Sequence, residues 1–160
     1  MENSKVISID QQFSEVVDII DKNRNSAIRT ARTMVTSAEN HGRLDSYMEL
    51  AEQGVIEKKV WVATPDDRTR PSHIDMDGEE QDINTRFSNG CMFPGDGAAP
   101  PEEVWMCRCT MVTNIIGIRG KGGKINYLKR VEKGQTMHER QMQEEKQRRE
   151  DKANGKDDGS

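Results

Sequence analysis

The stretch from Trp61 to Thr110 constrains this chain most. It holds both tryptophans, all three cysteines, all five prolines and one of the three histidines. Rigid backbone residues and metal-capable side chains are concentrated there, in a chain otherwise polar and rich in Lys and Glu. With 32% hydrophobic, 32% charged and 4% aromatic residues among 160, a single compact domain spanning the whole length is hard to fill. The composition predicts a core of roughly 100 residues flanked by solvated segments. A net charge of -4 argues against a protein that coats nucleic acid generally. There is no signal peptide and no apolar run long enough to span a bilayer, so no membrane partner is expected. An odd cysteine number in a chain of cytosolic character points to thiols or metal ligands rather than disulfides.

The helical signals come first along the chain. Phe13, Val16, Val17, Ile19 and Ile20 predict a helix from about Asp10 to Lys22, with a break at Asn23 to Asn25. A second helix is predicted from about Ser26 to Gln53, capped by Asn25 or Ser26. Ile28, Ala31, Val35 and Ala38 form an apolar stripe on it. Arg29, Thr33, Thr36, Asn40, Arg43 and Tyr47 recur along another side at steps of three and four. That pattern predicts two covered sides, one under the first helix and one against a partner that wants hydrogen bonds. A kink at Gly42 between two ordinary amphipathic halves is the alternative.

Gly54 suits the helix C-terminus. Lys59 to Thr64 has strand composition, Pro71 to Gly78 reads as a loop or helical turn, and a short strand fits within Glu79 to Ser88. Cys91 to Phe93 reads as a strand, Pro101 opens a helical turn, and Cys107 to Ile118 reads as a β-branched strand ending in Gly117 to Gly123. From Lys129 onward the charged sequence suits either a solitary solvated helix or disorder. The fold class is therefore α+β, N-terminal helices packed on a small antiparallel sheet with long loops. Residues 1–24 are expected to form an extension with a short helix, 25–118 the domain proper, and 119–160 a charged tail.

On a strand, Cys107 and Cys109 direct both sulfurs to one face and Arg108 to the other. A disulfide between such near neighbours is geometrically poor. Convergence with His73, and with Cys91, Asp75 or Asp77, would build a structural zinc site. The competing reading has buried cysteines acting as small hydrophobes and His73 bonded to a nearby carboxylate. A catalytic Mg²⁺ or acid–base site on Asp66, Asp67, Asp75 and Asp77 with His73 is a further possibility, although the Asp67-Arg68-Thr69-Arg70 alternation favours ion pairs and turn capping. Gly120-Lys121-Gly122-Gly123-Lys124 lacks a phosphate-loop spacing. With Arg119 it forms a basic loop, either a DNA contact through Arg119, Lys121 and Lys124 or a solvated hairpin.

Four motifs occur in order: Arg-Thr-x-x-Thr-x-Ala-x-Asn-x-Gly-Arg at Arg32 to Arg43, a Lys-x-Trp strand, Asp-Asp-Arg-Thr-Arg-Pro-x-His-x-x-x-Asp-Gly, and Cys-Arg-Cys-Thr. With the FSNG and FPGD phrases between them, they resemble the phage Mu protein F-like family of minor head, or head morphogenesis, proteins. The resemblance covers roughly residues 25–115. It implies a virion or procapsid component, assembled in the host cytoplasm, that associates with portal, capsid or scaffold proteins and in some relatives with double-stranded DNA. Its signature positions here are Arg32, Thr33, Asn40, Arg43, Trp61, Asp67, Arg68, Thr69, His73, Asp77, Gly78, Pro94, Gly95, Cys107, Arg108 and Cys109. Many relatives carry Cys-x-x-Cys where this chain has Arg70 and His73, which removes one ligand, and Cys91 is the residue expected to replace it. The implied chemistry is structural. Related domains also occur fused to toxin modules, so a metal-dependent nucleic-acid-processing or toxin-like enzyme built on His73 and the carboxylates is the alternative.

Overall fold

The structure is a computed structural model that describes residues 9–128 and 136–154, with side chains from Phe13 onward. Its first element is one helix, α1 (Ile9–Glu52), running 44 residues without interruption. The expected break at Asn23 to Asn25 is absent. Asparagine costs at most about 0.7 kcal/mol within a helix, which is too little to end one without a glycine or proline. The alternative of a kink at Gly42 between two separate halves is set aside by the same continuous helix. The helix ends at Gly54, whose φ of 93° is the left-handed conformation of a C-terminal glycine. Its N–H bonds the Ala51 carbonyl at 3.0 Å.

Four strands follow in an antiparallel sheet ordered β2-β1-β3-β4. They are β1 (Val55–Val62), β2 (Glu80–Asp82), β3 (Thr110–Arg119) and β4 (Ile125–Tyr127). The β1–β3 register runs from Val55↔Ile118 to Val62↔Thr110, with an irregularity between Ile56 and Glu57. Helical turns α2 (Pro71–Asp75) and α3 (Pro101–Val104) stand where the prolines at their starts predict them. The α+β expectation therefore holds. Cys91 to Phe93, however, is an irregular bend rather than a strand. Its backbone is held by side chains: Asn89 Oδ1 accepts from Cys91 N at 3.1 Å, and Asp96 Oδ2 from Met92 N at 2.9 Å.

Which face of α1 meets the sheet is the main result of the packing. Thr33, Asn40 and Leu44 are buried against the domain, with Tyr47 half-buried. The apolar stripe of Ile28, Ala31, Val35 and Ala38 is exposed on the opposite side. The polar stripe is thus the covered one, and the expected cover for the apolar stripe is missing because the N-terminal segment extends away instead of folding back. The cause lies in the sheet edge. β4 pairs with β3 only from Gly117 to Arg119, so among the described residues no strand neighbours the outward groups around Met111. Asn40 and Tyr47 supply the missing partners. Asn40 Oδ1 accepts from Met111 N at 3.3 Å, and the Tyr47 hydroxyl lies 3.5 Å from Met111 O. A buried strand edge must find such partners, and here a helix supplies them.

The tail also departs from expectation. Helix α4 (Met137–Ala153) opens with a Thr136–Glu139 capping box and docks on the domain. Met142 joins the buried cluster around Trp61. Arg149 donates to the Asp66 and Thr69 carbonyls at 2.9 and 2.8 Å, while pairing with the buried Glu145. Low hydropathy misses such docking, because one methionine and a few directed hydrogen bonds do the work of an apolar face. Among the described residues no helix is long and apolar enough to cross a membrane.

Candidate metal centre and its surroundings

β1 and β3 bring the site together. Their pairing at Val62↔Thr110 places Cys107 and Cys109, just ahead of β3, beside the segment leaving β1. That segment turns at Pro65, and Pro71 then opens α2, which carries His73 inward. His73, Cys107 and Cys109 are 1%, 3% and 2% exposed. His73 Nδ1 lies 3.7 Å from Cys107 Sγ and 3.4 Å from Cys109 Sγ. All three ligand atoms lie within 4.8 Å of one another. A tetrahedral zinc with bonds of about 2.05 Å to nitrogen and 2.3 Å to sulfur sets its N···S distances at about 3.6 Å. The observed values fit.

The other ring nitrogen completes the arrangement. His73 Nε2 lies 2.8 Å from Glu103 Oε2, so a proton there leaves the Nδ1 lone pair facing the sulfurs. A carboxylate behind a histidine commonly fixes the tautomer of a metal ligand in this way. Ser72 and Asn89 also donate to Glu103, and Trp61 packs edge-on against the imidazole at 5.1 Å. The same contacts serve a metal-free clasp in which a thiol bonds the imidazole. Protonation separates the two states. A hydrogen bond from Cys107 holds the Cys109 thiol below its ordinary range. Cys107, bonded to that sulfur and buried with it, is pushed far up. A cation bound here would take the place of the thiol protons, whereas without one the pair keeps its internal hydrogen bond.

The remaining predicted residues divide into those held inside the fold and those left at the surface. Cys91 is fully buried in the same apolar cluster but stands outside the group of three ligand atoms. Burial pushes its thiol up to about 12. The expected fourth ligand is therefore not placed by Cys91. Arg70 donates to the Trp105 carbonyl. Asp75 is exposed, and Asp77 is bound by Ala63 N and by His138 Nε2, both at 2.9 Å. Asp66 takes both arms of the Arg108 guanidinium, one at 2.7 Å, which holds its carboxyl well below the usual range. Thr69 is buried on Asp66, whereas Asp67 and Arg68 are exposed. The polar stripe of α1 makes no hydrogen bond to this loop. It bonds the Pro94 and Met106-to-Met111 segments instead.

Asn40 is the hub of that attachment. Its amide donates to Thr36 O, Pro94 O and Cys109 O at 3.0, 3.1 and 3.2 Å, and its carbonyl accepts from Thr110 and Met111. Thr33 Oγ1 accepts from Met106 N at 3.0 Å, and Met106 itself has a φ of 58°. Gly95 lets the Pro94 loop reach the helix: a Cβ there would meet the Ser37 backbone at 3.1 Å. Arg32 and Arg43 remain exposed. Gly78 ends the α2 loop with a φ of 82° and donates to the Trp61 carbonyl. Arg119, Lys121 and Lys124 are exposed together at the β3–β4 hairpin.

Sequence reasoning missed Glu103, Lys59 and Arg149. Glu103 carried a weak signal as an acid in a Pro-opened turn. Lys59 lies fully buried on β1, donating to Met92 O at 2.7 Å over the Phe87 ring.

Two clefts adjoin the centre. One of about 580 Å³ is lined by Asp75, Asp77, Glu79 and Glu103 among others, and one of about 600 Å³ by Arg32, Thr36, Arg68 and Arg108 among others.

The family described as Phage Mu protein F like protein matches residues 4–112. The NAD(+)–arginine ADP-ribosyltransferase EFV of Enterococcus faecalis (strain ATCC 700802 / V583) is 31% identical over 116 residues, 71% of this chain and 24% of that protein. The chain thus spans about a quarter of that relative's length. No solved structure matches.

Proposed function

The chain belongs to the phage Mu protein F-like family, and on that premise we propose that it is a non-enzymatic head-assembly module of the procapsid and virion, made in the host cytoplasm. Its partners in this reading are the portal and neighbouring capsid or scaffold proteins. The observation that carries it is that the chemically capable groups are tied to one another inside the fold. His73 is tied to Glu103 and the two cysteines, Asp66 to Arg108, and Asp77 to Ala63 and His138. A mutually bonded set of this kind, buried at His73 and partly exposed at Asp66 and Arg108, holds loops together and leaves little to offer a substrate.

His73, Cys107 and Cys109 would hold a structural zinc, which supplies charge neutralisation for two thiolates and a clamp between α2 and the start of β3. The exposed Arg119, Lys121 and Lys124 would supply DNA contact, and such binding should weaken steeply with salt. Affinity purification of the tagged chain from cells assembling particles tests the main reading. Portal should co-purify. A chain recovered without any head protein would sink it.

The second reading is enzymatic and starts from the ADP-ribosyltransferase relative. The acidic cleft beside His73 repels a dinucleotide diphosphate, whereas the cleft of Arg32, Arg68 and Arg108 suits one electrostatically. Consumption of NAD(+) by the purified chain, lost in Arg68→Ala, would favour this reading. Metal-dependent processing of nucleic acid by His73 and the carboxylates would instead appear as chelator-sensitive cleavage of DNA or RNA.

A further inference from the structure

Residues 13–32 of α1 are exposed on every side, a projection of about 30 Å at 1.5 Å per residue. A helix of this length is marginal in water, because most helical stability in proteins comes from packing an amphipathic face. Such a face is present. At 100° per residue Phe13, Val16, Val17, Ile20, Ala27 and Ala31 fall on one line. Ile28, Met34 and Val35 prolong it, on the side turned away from the sheet. Phe13, Val17, Ile20, Arg24, Ala27, Ala31 and Met34 alternate at steps of four and three, the spacing of a two-helix seam with one charged position.

The charges along this segment select the occupant. From Ile9 to Asp21 there are four acids (Asp10, Glu15, Asp18, Asp21) and no base. From Lys22 to Ala38 there are four bases (Lys22, Arg24, Arg29, Arg32) and no acid. Two copies laid parallel would set acid against acid and base against base. Laid antiparallel, with centres near Lys22, each acidic block lies along the partner's basic block. Phe13 and Val17 then face the small residues Ala31 and Ala27 of the other copy, and Ile20 lies against the aliphatic stem of its Arg24. A segment that is its own electrostatic complement is suited to a second copy of itself.

We propose that this chain forms an antiparallel homodimer through the projecting half of α1, with Phe13, Val17, Ile20, Ala27 and Ala31 in the seam.

Sedimentation equilibrium of the full chain over a concentration series is the test. The expected mass is twice the 18.2 kDa of one chain. Val17→Glu/Ile20→Glu should return it to one chain's mass, with the thermal transition of the sheet domain unchanged. Two charge variants check orientation. Lys22→Glu/Arg24→Glu/Arg29→Glu/Arg32→Glu and Asp10→Lys/Glu15→Lys/Asp18→Lys/Asp21→Lys should each be monomeric alone and pair one to one when mixed. A wild-type chain that stays monomeric throughout overturns the proposal, as does a dimer that survives the seam substitutions. A dimer that survives either charge reversal alone overturns the antiparallel arrangement.

Discussion

Replacing Asn40 by leucine probes how α1 is attached to the sheet. The side chain is 2% exposed and bonds three buried backbone groups far away in sequence: Pro94 O, Cys109 O and Met111 N. Leucine is similar in size but leaves all three unpaired. Each orphaned buried group costs about 1–3 kcal/mol, and partial relaxation places the sum near 3–5 kcal/mol. Against a domain stability of about 5–15 kcal/mol that loss is severe. It corresponds to a fall of about 10 °C in Tm for a chain of this size. Urea unfolding followed by tryptophan fluorescence reads it directly through Trp61 and Trp105. Asn40→Asp should lose as much near neutral pH, because a carboxylate would face the Pro94 and Cys109 carbonyls, and should recover partly on acidification when the acid can donate. A loss below about 1 kcal/mol in Asn40→Leu would refute the claim that the polar stripe substitutes for a missing strand.

Three further outcomes are expected. Gly95→Ala should destabilise by about 2 kcal/mol or more, since its φ of 87° strains any side chain and the new Cβ meets the Ser37 backbone at 3.1 Å; a neutral result in the same urea assay would contradict that contact. Elemental analysis should find about one zinc per chain, and a strong chelator or His73→Ala should lower the Tm; metal-free protein of unchanged Tm would favour the thiol–imidazole clasp. Burial lowers the Lys59 pKa from 10.5 to about 8. Between those values the unfolded chain binds the proton that the folded chain has released, so stability should rise with pH from about 8 to 10.5. Lys59→Met should abolish that rise, and an identical slope in the variant would assign it to another group.

Much of this was legible because each signal was local. Gly54, Pro71 and Pro101 mark element ends through backbone restriction alone, and the two-residue cysteine spacing points at a shared target. The covered polar stripe was legible too, because Thr33 and Asn40 recur at helical spacing where ordinary core residues would be apolar. Its partner was not, since nothing local says that β4 covers β3 only at Gly117 to Arg119 and that, among the described residues, no strand lies along the outward edge at Met111. The false break at Asn23 to Asn25 came from treating a weak propensity as a stop signal. The docking of α4 escaped because Met142, Glu145 and Arg149 act through directed contacts that hydropathy averages away. Glu103 was hidden for a similar reason: its role behind His73 exists only once α2 and α3 meet.

The proposal that matters most is that the Trp61-to-Thr110 stretch fastens a head-assembly module together and serves no catalysis. Quantitative mass spectrometry of purified procapsids and mature virions tests it most directly. The account predicts the chain in procapsids at a fixed ratio to portal, a ratio that falls when His73→Ala or Asn40→Leu loosens the fold. A chain absent from both particles, yet abundant in the surrounding lysate, would contradict it.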